Sequence, residues 1–314
     1  MDATLIFLVP SRRGAKRLRR VCPTQPGHLE SNQFGTVEFI DLSRLIGAEP
    51  YIAVNTVSTD STVAAQWVEY CNGTKDTYWA NRRRQDGHEH PFNVRYWAIG
   101  NEPYWMHSPQ EYAQRYRRWV HAMYNVDPSI TVVAGGPEPG TSIAEPWNID
   151  GKWAQRFLEL TRAASGFFSA SWHLTPEERK MCYSFHPYFN CPTAFCTADQ
   201  YYAALEELRT RLPSSIEKVL KLLNDTRSTF PVPKLCFDEY GLIFDGIRMD
   251  GNMIQPAPFW SALWLAEFFH ICLEHAGSIA IATHPGVINM EHELLLVEDQ
   301  KVIATPSRCL SYRQ

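Results

Sequence analysis

The sequence predicts an α/β fold in which parallel strands are joined by helices. The first sign is alternation. Short apolar runs rich in β-branched and aromatic residues take turns along the chain with longer stretches of helical periodicity. A parallel sheet with helical crossovers follows from that order. The second sign is how the apolar runs end. Two of them close on a polar pair beside Gly or Pro, which places Asn101, Glu102 and Glu239 at carboxyl ends of strands. Parallel α/β proteins bind ligands and do chemistry there. The third is composition. A chain of 314 residues that is 45% hydrophobic and 20% charged can fill one large core, and no internal shift in composition marks a linker.

Residues 1–31 carry no sustained periodicity and read as an unassigned basic leader, disordered, with Arg12, Arg13, Lys16, Arg17, Arg19 and Arg20 clustered in it. Order begins at Thr36 as an N-cap, and Phe39, Ile40, Leu42, Leu45 and Ile46 offer an apolar helical face that Gly47 stops. Residues 50–55 form a buried strand. A helix follows with Val63, Ala64, Trp67, Val68 and Cys71 inward, ended by Asn72-Gly73. Residues 73–92 read as a polar, aromatic loop. The strand 94–99 leads to Glu102. Ser108, Pro109 and Glu111 then make a capping box with a first-turn proline, and Tyr112, Tyr116, Trp119, Val120 and Met123 form an inward stripe. Strand 130–134 closes at Gly135-Gly136. Trp153, Phe157 and Leu160 mark a helix, and strand 181–185 ends in His186-Pro187-Tyr188. Thr197 and Gln200 cap a helical region to about Asn224, interrupted at Pro213. The strand before Glu239, a helix over 257–275, the strand 278–283 and a hairpin over 293–304 complete the chain. Six βα units result, too few for a closed eight-stranded barrel.

Several function classes fall away. The net charge of −4 includes no basic block in the ordered part, so no nucleic-acid partner is expected. No apolar run nears the roughly 18 residues of a membrane span, and none has the order of a secretory leader. A cytoplasmic location is the expectation, or a secreted one if a true N-terminus is missing. The eight cysteines show no framework spacing and read as free thiols. Cys182, Cys191, Cys196 and His186 match no standard zinc spacing, so no metal is expected. No glycine-rich phosphate loop is present, so no cofactor is expected either.

The chemistry concentrates at two strand ends. Tyr96-Trp97-Ala98-Ile99 runs into Gly100-Asn101-Glu102-Pro103, and Lys234-Leu235-Cys236-Phe237 runs into Asp238-Glu239-Tyr240-Gly241. Two such glutamates suit a paired-carboxylate site, one donating a proton while the other attacks. The competing reading is of two unrelated turns that happen to contain acids. His186 and Tyr188 follow a third strand. Trp97, Tyr104, Trp105, Trp147, Tyr188 and Tyr240 lie near strand ends, where aromatic faces suit the apolar faces of a sugar, although several belong to the core.

These residues resemble a known family. Gly100-Asn101-Glu102 and Asp238-Glu239-Tyr240 are similar to the acid/base and nucleophile signatures of clan A glycoside hydrolases. Phe34-Gly35-Thr36, the run from Leu45 to Asn55, Trp67 to Gly73 and Val126 to Ile130 resemble the α-L-arabinofuranosidases of glycoside hydrolase family 51. The likeness runs from about Asn32 to Thr305. It implies a TIM (β/α)8-type barrel over residues 32–314, incomplete, with the six strands as barrel strands three to eight and the family's β-sandwich missing. By the same likeness Glu102 is the general acid/base, Glu239 the nucleophile, and Asn101, His186, Tyr188 and Trp105 bind or frame the sugar. The implied reaction is retaining, which requires carboxyl groups about 5–5.5 Å apart and a protonated Glu102 at working pH. The family's Gly-Gly-Asn-Phe segment, an upstream sugar-contacting Glu and a Gln before Val287-Ile288-Asn289 have no counterpart here. The expected partner is an arabinose-containing oligosaccharide or polysaccharide, and a homo-oligomer would complete an open barrel. Another clan A glycosidase, such as a β-xylosidase or β-glucanase, and a vestigial sugar-binding protein are the competing readings.

Overall fold

The computed structural model describes residues 20–21, 29–30, 34–141, 150–163, 180–191, 197–226, 234–244, 258–284, 294–298 and 301–307. The chain divides into two compact units, Met1–Tyr183 with Leu223–Pro233, and Ser184–Leu222 with Lys234–Gln314.

The first unit opens with a short antiparallel pair, β1 (Arg20–Val21) and β2 (Leu29–Glu30), inside the stretch that the sequence left unassigned. Helix α1 (Thr36–Leu45) follows, capped by Gly35 rather than Thr36, with the Glu38 carboxylate accepting from the Gly35 amide at 2.9 Å. Its inner face also differs from expectation. Val37, Ile40 and Ser43 are buried, while Leu45 is 83% exposed and Ile46 lies beyond the helix. Residues three apart share a helix face, so the sequence supports two adjacent stripes, and packing selected the other one.

Strand β3 (Tyr51–Val54) pairs in parallel with β4 (Tyr96–Ile99), and β4 with β5 (Thr131–Gly135); β6 (Lys180–Ser184) lies next in the hydrogen-bonded order. The interiors of β4 and β5 are buried on both faces, as crossover helices demand, whereas β3 alternates buried and half-buried residues. Helix α2 (Ser61–Asn72), capped by Asp60, buries Ala64, Trp67, Val68 and Cys71 as predicted, while Val63 is only half-buried. The segment read as a loop contains a helix, α3 (Tyr78–Gln85). It has almost no apolar stripe because its buried side chain is a cation. Arg83 is fully buried, and its guanidinium donates to the carbonyls of Tyr70 at 2.9 Å and His88 at 3.1 Å. Helix α4 (Pro109–Tyr124) has the predicted capping box and inward stripe. Its Tyr112 and Tyr116 pack with Trp153 and Phe157 of α5 (Trp153–Ala163).

In the second unit β8 (Lys234–Phe237) pairs in parallel with β10 (Ile279–Ala282). A parallel pair that the sequence did not announce, β7 (Tyr188–Cys191) with β9 (Gly241–Phe244), follows the two site-bearing turns. Helix α6 (Ala198–Asp225) runs unbroken through Pro213, contrary to the expected interruption. Leu208, Leu212, Ile216 and Val219 continue one buried stripe across the proline, and that burial outweighs a single missing amide. Helix α7 (Pro258–Glu274) contributes Trp264 and Phe268 to an aromatic core with Phe237 and Tyr240. The predicted hairpin is β11 (Leu295–Glu298) with β12 (Lys301–Ala304).

Six strands, β3, β4, β5, β6, β8 and β10, thus form the βα series, and in each unit neighbours follow sequence order. The fold is α/β, an incomplete (β/α)8-type barrel. Among the described residues, no helix is long and apolar enough to cross a membrane. Cys71, Cys182, Cys236 and Cys272 are buried thiols outside any disulfide, as expected. Cys191 is disulfide-bonded, which corrects the expectation of free thiols throughout.

Candidate active site

The predicted site residues fall into two groups, one in each unit. In the first, β4 ends at Ile99 and Gly100 turns the chain with φ +83°. A Cβ there would also lie 2.7 Å from the Thr56 hydroxyl, so Gly is required on both counts. Asn101 is exposed. Glu102 sits in the left-handed region at φ 42° and ψ 52°, a conformation that disfavours side chains with a Cβ. Strain of this kind, about 1–3 kcal/mol, persists where surroundings over-determine the backbone. Here they do. Pro103 starts a 3-10 turn to Trp105, and the Tyr104 hydroxyl donates to Glu102 Oε1 at 2.9 Å. Tyr112 of α4 clips the strand ends beneath, donating to the Ile99 carbonyl at 2.7 Å and accepting from the Gly135 amide at 3.3 Å. The His107 carbonyl, at the end of the same loop, accepts from Trp153 Nε1 at 3.0 Å. The His107 ring is buried, and burial, aided by the nearby Arg115, lowers its pKa below the ordinary histidine value. Trp105 is 41% exposed and leans on Tyr104 with ring centroids 5.6 Å apart.

In the second unit β6 delivers Ser184, and the turn after it delivers His186 and Tyr188; β8 delivers Asp238 and Glu239. The Tyr188 hydroxyl donates to Glu239 Oε1 at 2.6 Å, and His186 Nδ1 lies 3.6 Å from Glu239 Oε2. The other imidazole nitrogen, Nε2, lies 3.3 Å from Asp238 Oδ1, which also accepts a hydrogen bond from the Ser184 hydroxyl. Glu239 is thus partly exposed on one side and held on the other by a phenol and an imidazole. The phenol donates a hydrogen bond to that carboxylate, and the imidazole is a second polar neighbour at longer range. Arg211 of α6 backs Tyr188, donating to its main-chain carbonyl at 2.7 Å while lying 4.1 Å from the Phe189 ring centroid.

His186, Tyr188 and Glu239 are therefore brought together, and Asn101, Glu102 and Trp105 share one loop. Several of the aromatic residues near strand ends belong to the core, as expected, and Tyr104 is among them. Trp97 is fully buried against Trp67, and Tyr240 is fully buried and stacked on Phe268 at 4.0 Å. Trp97 lies in β4, which is buried from Trp97 to Ile99, and Tyr240 lies in the turn between β8 and β9, covered by Phe268 of α7. Trp147 and the stretch 285–289 lie outside the described residues. Cys236 is a buried strand residue, as read from the sequence. Of the cysteines whose spacing was read as no zinc site, Cys191 is in a disulfide and Cys196 lies outside the described residues. Sequence reasoning missed Ser184, the contact of Asp238 with His186, and the roles of Tyr104 and Arg211. Asp238 carried a signal in its place beside Glu239, and Tyr104 in its place at a strand end.

Residues 13–153 match the family described as the alpha-L-arabinofuranosidase 1 domain. The chain is 32% identical over 283 residues to alpha-L-arabinofuranosidase C of Emericella nidulans, a match covering 86% of this chain and 52% of that protein. It is 23% identical over 290 residues to the intracellular exo-alpha-L-arabinofuranosidase of Bacteroides ovatus, covering 90% and 52%. Among solved structures, the arabinose complex of the Thermotoga maritima alpha-L-arabinofuranosidase is similar with a TM-score of 0.76 at 26% identity, covering 96% of this chain and 56% of that one. The chain spans about half the length of the curated relatives that it matches.

Proposed function

Because the chain belongs to glycoside hydrolase family 51, a retaining family of clan A, we propose that it forms the catalytic part of an α-L-arabinofuranosidase. Its substrates would be oligosaccharides or polysaccharides with terminal arabinofuranosyl units. The observation that supports this most is the pair of acids, each presented just past the end of a parallel strand. Glu102 follows β4 and Glu239 follows β8, second and fifth of the six strands, where barrel strands four and seven belong.

In this reading Glu239 attacks the anomeric carbon and forms a glycosyl ester, while Glu102 gives its proton to the departing oxygen. Glu102 then takes a proton from water, which attacks the same carbon and frees Glu239 with net retention. Tyr188 and His186 orient the nucleophile and spread its charge before attack. Asn101 takes the hydroxyl beside the anomeric carbon, and the exposed face of Trp105 meets the sugar or its leaving group. No metal or cofactor is needed for either step.

The test is hydrolysis of 4-nitrophenyl α-L-arabinofuranoside by the purified chain, beside Glu239→Gln and Glu102→Gln. Loss of roughly a thousandfold or more in each variant is expected, since such residues act as a unit. The first product anomer, followed by NMR, should retain configuration. A folded, monodisperse chain without turnover would overturn the reading and favour sugar binding alone. Activity only on nitrophenyl β-xyloside or β-glucoside would move the assignment to another clan A glycosidase.

On compartment, two observations point apart. The Bacteroides ovatus relative is named as intracellular, which supports an intracellular place. The disulfide at Cys191 favours an oxidising one, because cytosolic thiols are kept reduced. Fractionation of the source cells, with a thiol count on the native protein, decides between them.

A further inference from the structure

The Glu239 turn holds a second carboxylate that the mechanism above does not use. Asp238 is largely buried, with 11% of its side chain accessible, and points at the one imidazole that also faces Glu239. We propose that Asp238 is a positioning residue for the nucleophile, gripping His186 at Nε2 so that its Nδ1 edge is held toward Glu239. This rests on Glu239 being the nucleophile.

Three observations carry the inference. First, His186 is almost wholly enclosed at 5% side-chain accessibility, with carboxylate oxygens at both ring nitrogens, 3.3 Å at Nε2 and 3.6 Å at Nδ1. A neutral imidazole has a single N–H, and a bare nitrogen facing an ionised carboxylate sets lone pair against lone pair. The contact with Glu239 is favourable only when Nδ1 carries a proton. Nε2 must then either carry a proton as well or accept one from Asp238. In both cases the Asp238–His186 pair holds one proton more than a neutral imidazole beside a carboxylate, and it offers an N–H to Glu239. Second, Asp238 is itself tied down. The Ser184 hydroxyl donates to Oδ1, and the Thr283 hydroxyl donates to the Asp238 carbonyl at 2.9 Å. The grip therefore comes from the strand ends of the sheet, not from a free side chain. Third, Asp238 and Glu239 are consecutive, and neighbours in a strand point to opposite faces. β8 ends at Phe237, and the turn after it lets both carboxylates reach one ring. The Tyr188 contact to Glu239 is a separate arm, anchored through Arg211 rather than Asp238.

The experiment compares kcat and KM on 4-nitrophenyl α-L-arabinofuranoside for the purified chain, Asp238→Ala, Asp238→Asn, His186→Ala, Tyr188→Phe and the doubles D238A/H186A and D238A/Y188F. The expected result is a kcat about tenfold to a hundredfold lower in D238A with KM within about threefold, as for lost alignment of a reacting group. D238N, whose carboxamide can still bond Nε2, should recover most of that rate. D238A should add nothing to H186A yet multiply with Y188F, because only the first pair shares a path. A loss that multiplies equally with both, or a D238A chain with wild-type kcat, overturns the proposal. A second readout needs no turnover. In imidazole 15N–1H spectra, assigned with H186A, the Nδ1–H of His186 should be seen in the parent chain and D238N and be lost to solvent exchange in D238A. An unchanged signal in D238A overturns the link even if the parent chain hydrolyses nothing, whereas a lost signal in an inactive chain leaves the link standing and removes the enzymatic reading.

Discussion

The Tyr112 hydroxyl is the clip beneath the Glu102 loop, and Tyr112→Phe removes it alone. The ring is fully buried, with centroids 5.5 Å from Trp153 and 4.8 Å from Phe157, and Phe keeps those contacts. What is lost is the 2.7 Å bond to the Ile99 carbonyl and the longer 3.3 Å bond from the Gly135 amide. A buried polar group left without its partner costs about 1–3 kcal/mol. The Ile99 carbonyl has a second lone pair and the Gly135 bond is weak, so the lower half of that range applies, about 1–2 kcal/mol. Urea unfolding followed by tryptophan fluorescence should show the unfolding free energy falling by that amount, as a lower midpoint with the slope m unchanged. Since Ile99 lies three residues before Glu102, kcat on the aryl arabinofuranoside should fall as well. A change under about 0.5 kcal/mol, within the range of ordinary surface substitutions, would refute the reasoning. It would mean that the ends of β4 and β5 satisfy each other without the hydroxyl.

Two further outcomes follow from the same loop. Glu102 occupies the left-handed region, so Glu102→Gly should be more stable than Glu102→Ala by about 1 kcal/mol in urea unfolding, the reverse of the usual order away from turns. Equal stabilities would show that the backbone relaxes once the carboxylate is gone. Burial lowers the pKa of His107 from its ordinary 6.5, and its Nε2 has no hydrogen-bond partner among the described residues. The unfolded chain then binds a proton before the folded one does. Stability from this group is present above about pH 6.5 and lost as pH falls toward the folded value. His107→Asn should flatten the decline in urea midpoint between about pH 6.5 and 5 relative to the parent chain, and an unchanged slope would count against a buried neutral ring.

Much of the architecture was legible in the residues themselves. Strand and helix alternation, the Ser108–Glu111 capping box, the aromatic stripe of α4 and the terminal hairpin all rest on spacing within one element, and spacing is a local property. So do the positions of Glu102 and Glu239, because an apolar run closed by Gly or Pro marks a strand end wherever the strand lies. The sequence determined the six-strand series, the family likeness and which carboxylates stand at strand ends. Only the tertiary structure decided the rest, because those outcomes depend on which surface packing covers. It turned α1 onto Val37 and Ile40, built α3 around a buried Arg83, carried α6 through Pro213, and sank Trp97 and Tyr240 into the core. It also decided that Asp238, from one strand end, meets His186, from another. A contact between residues 52 positions apart has no local pattern to announce it; it exists because parallel strands bring their carboxyl ends side by side.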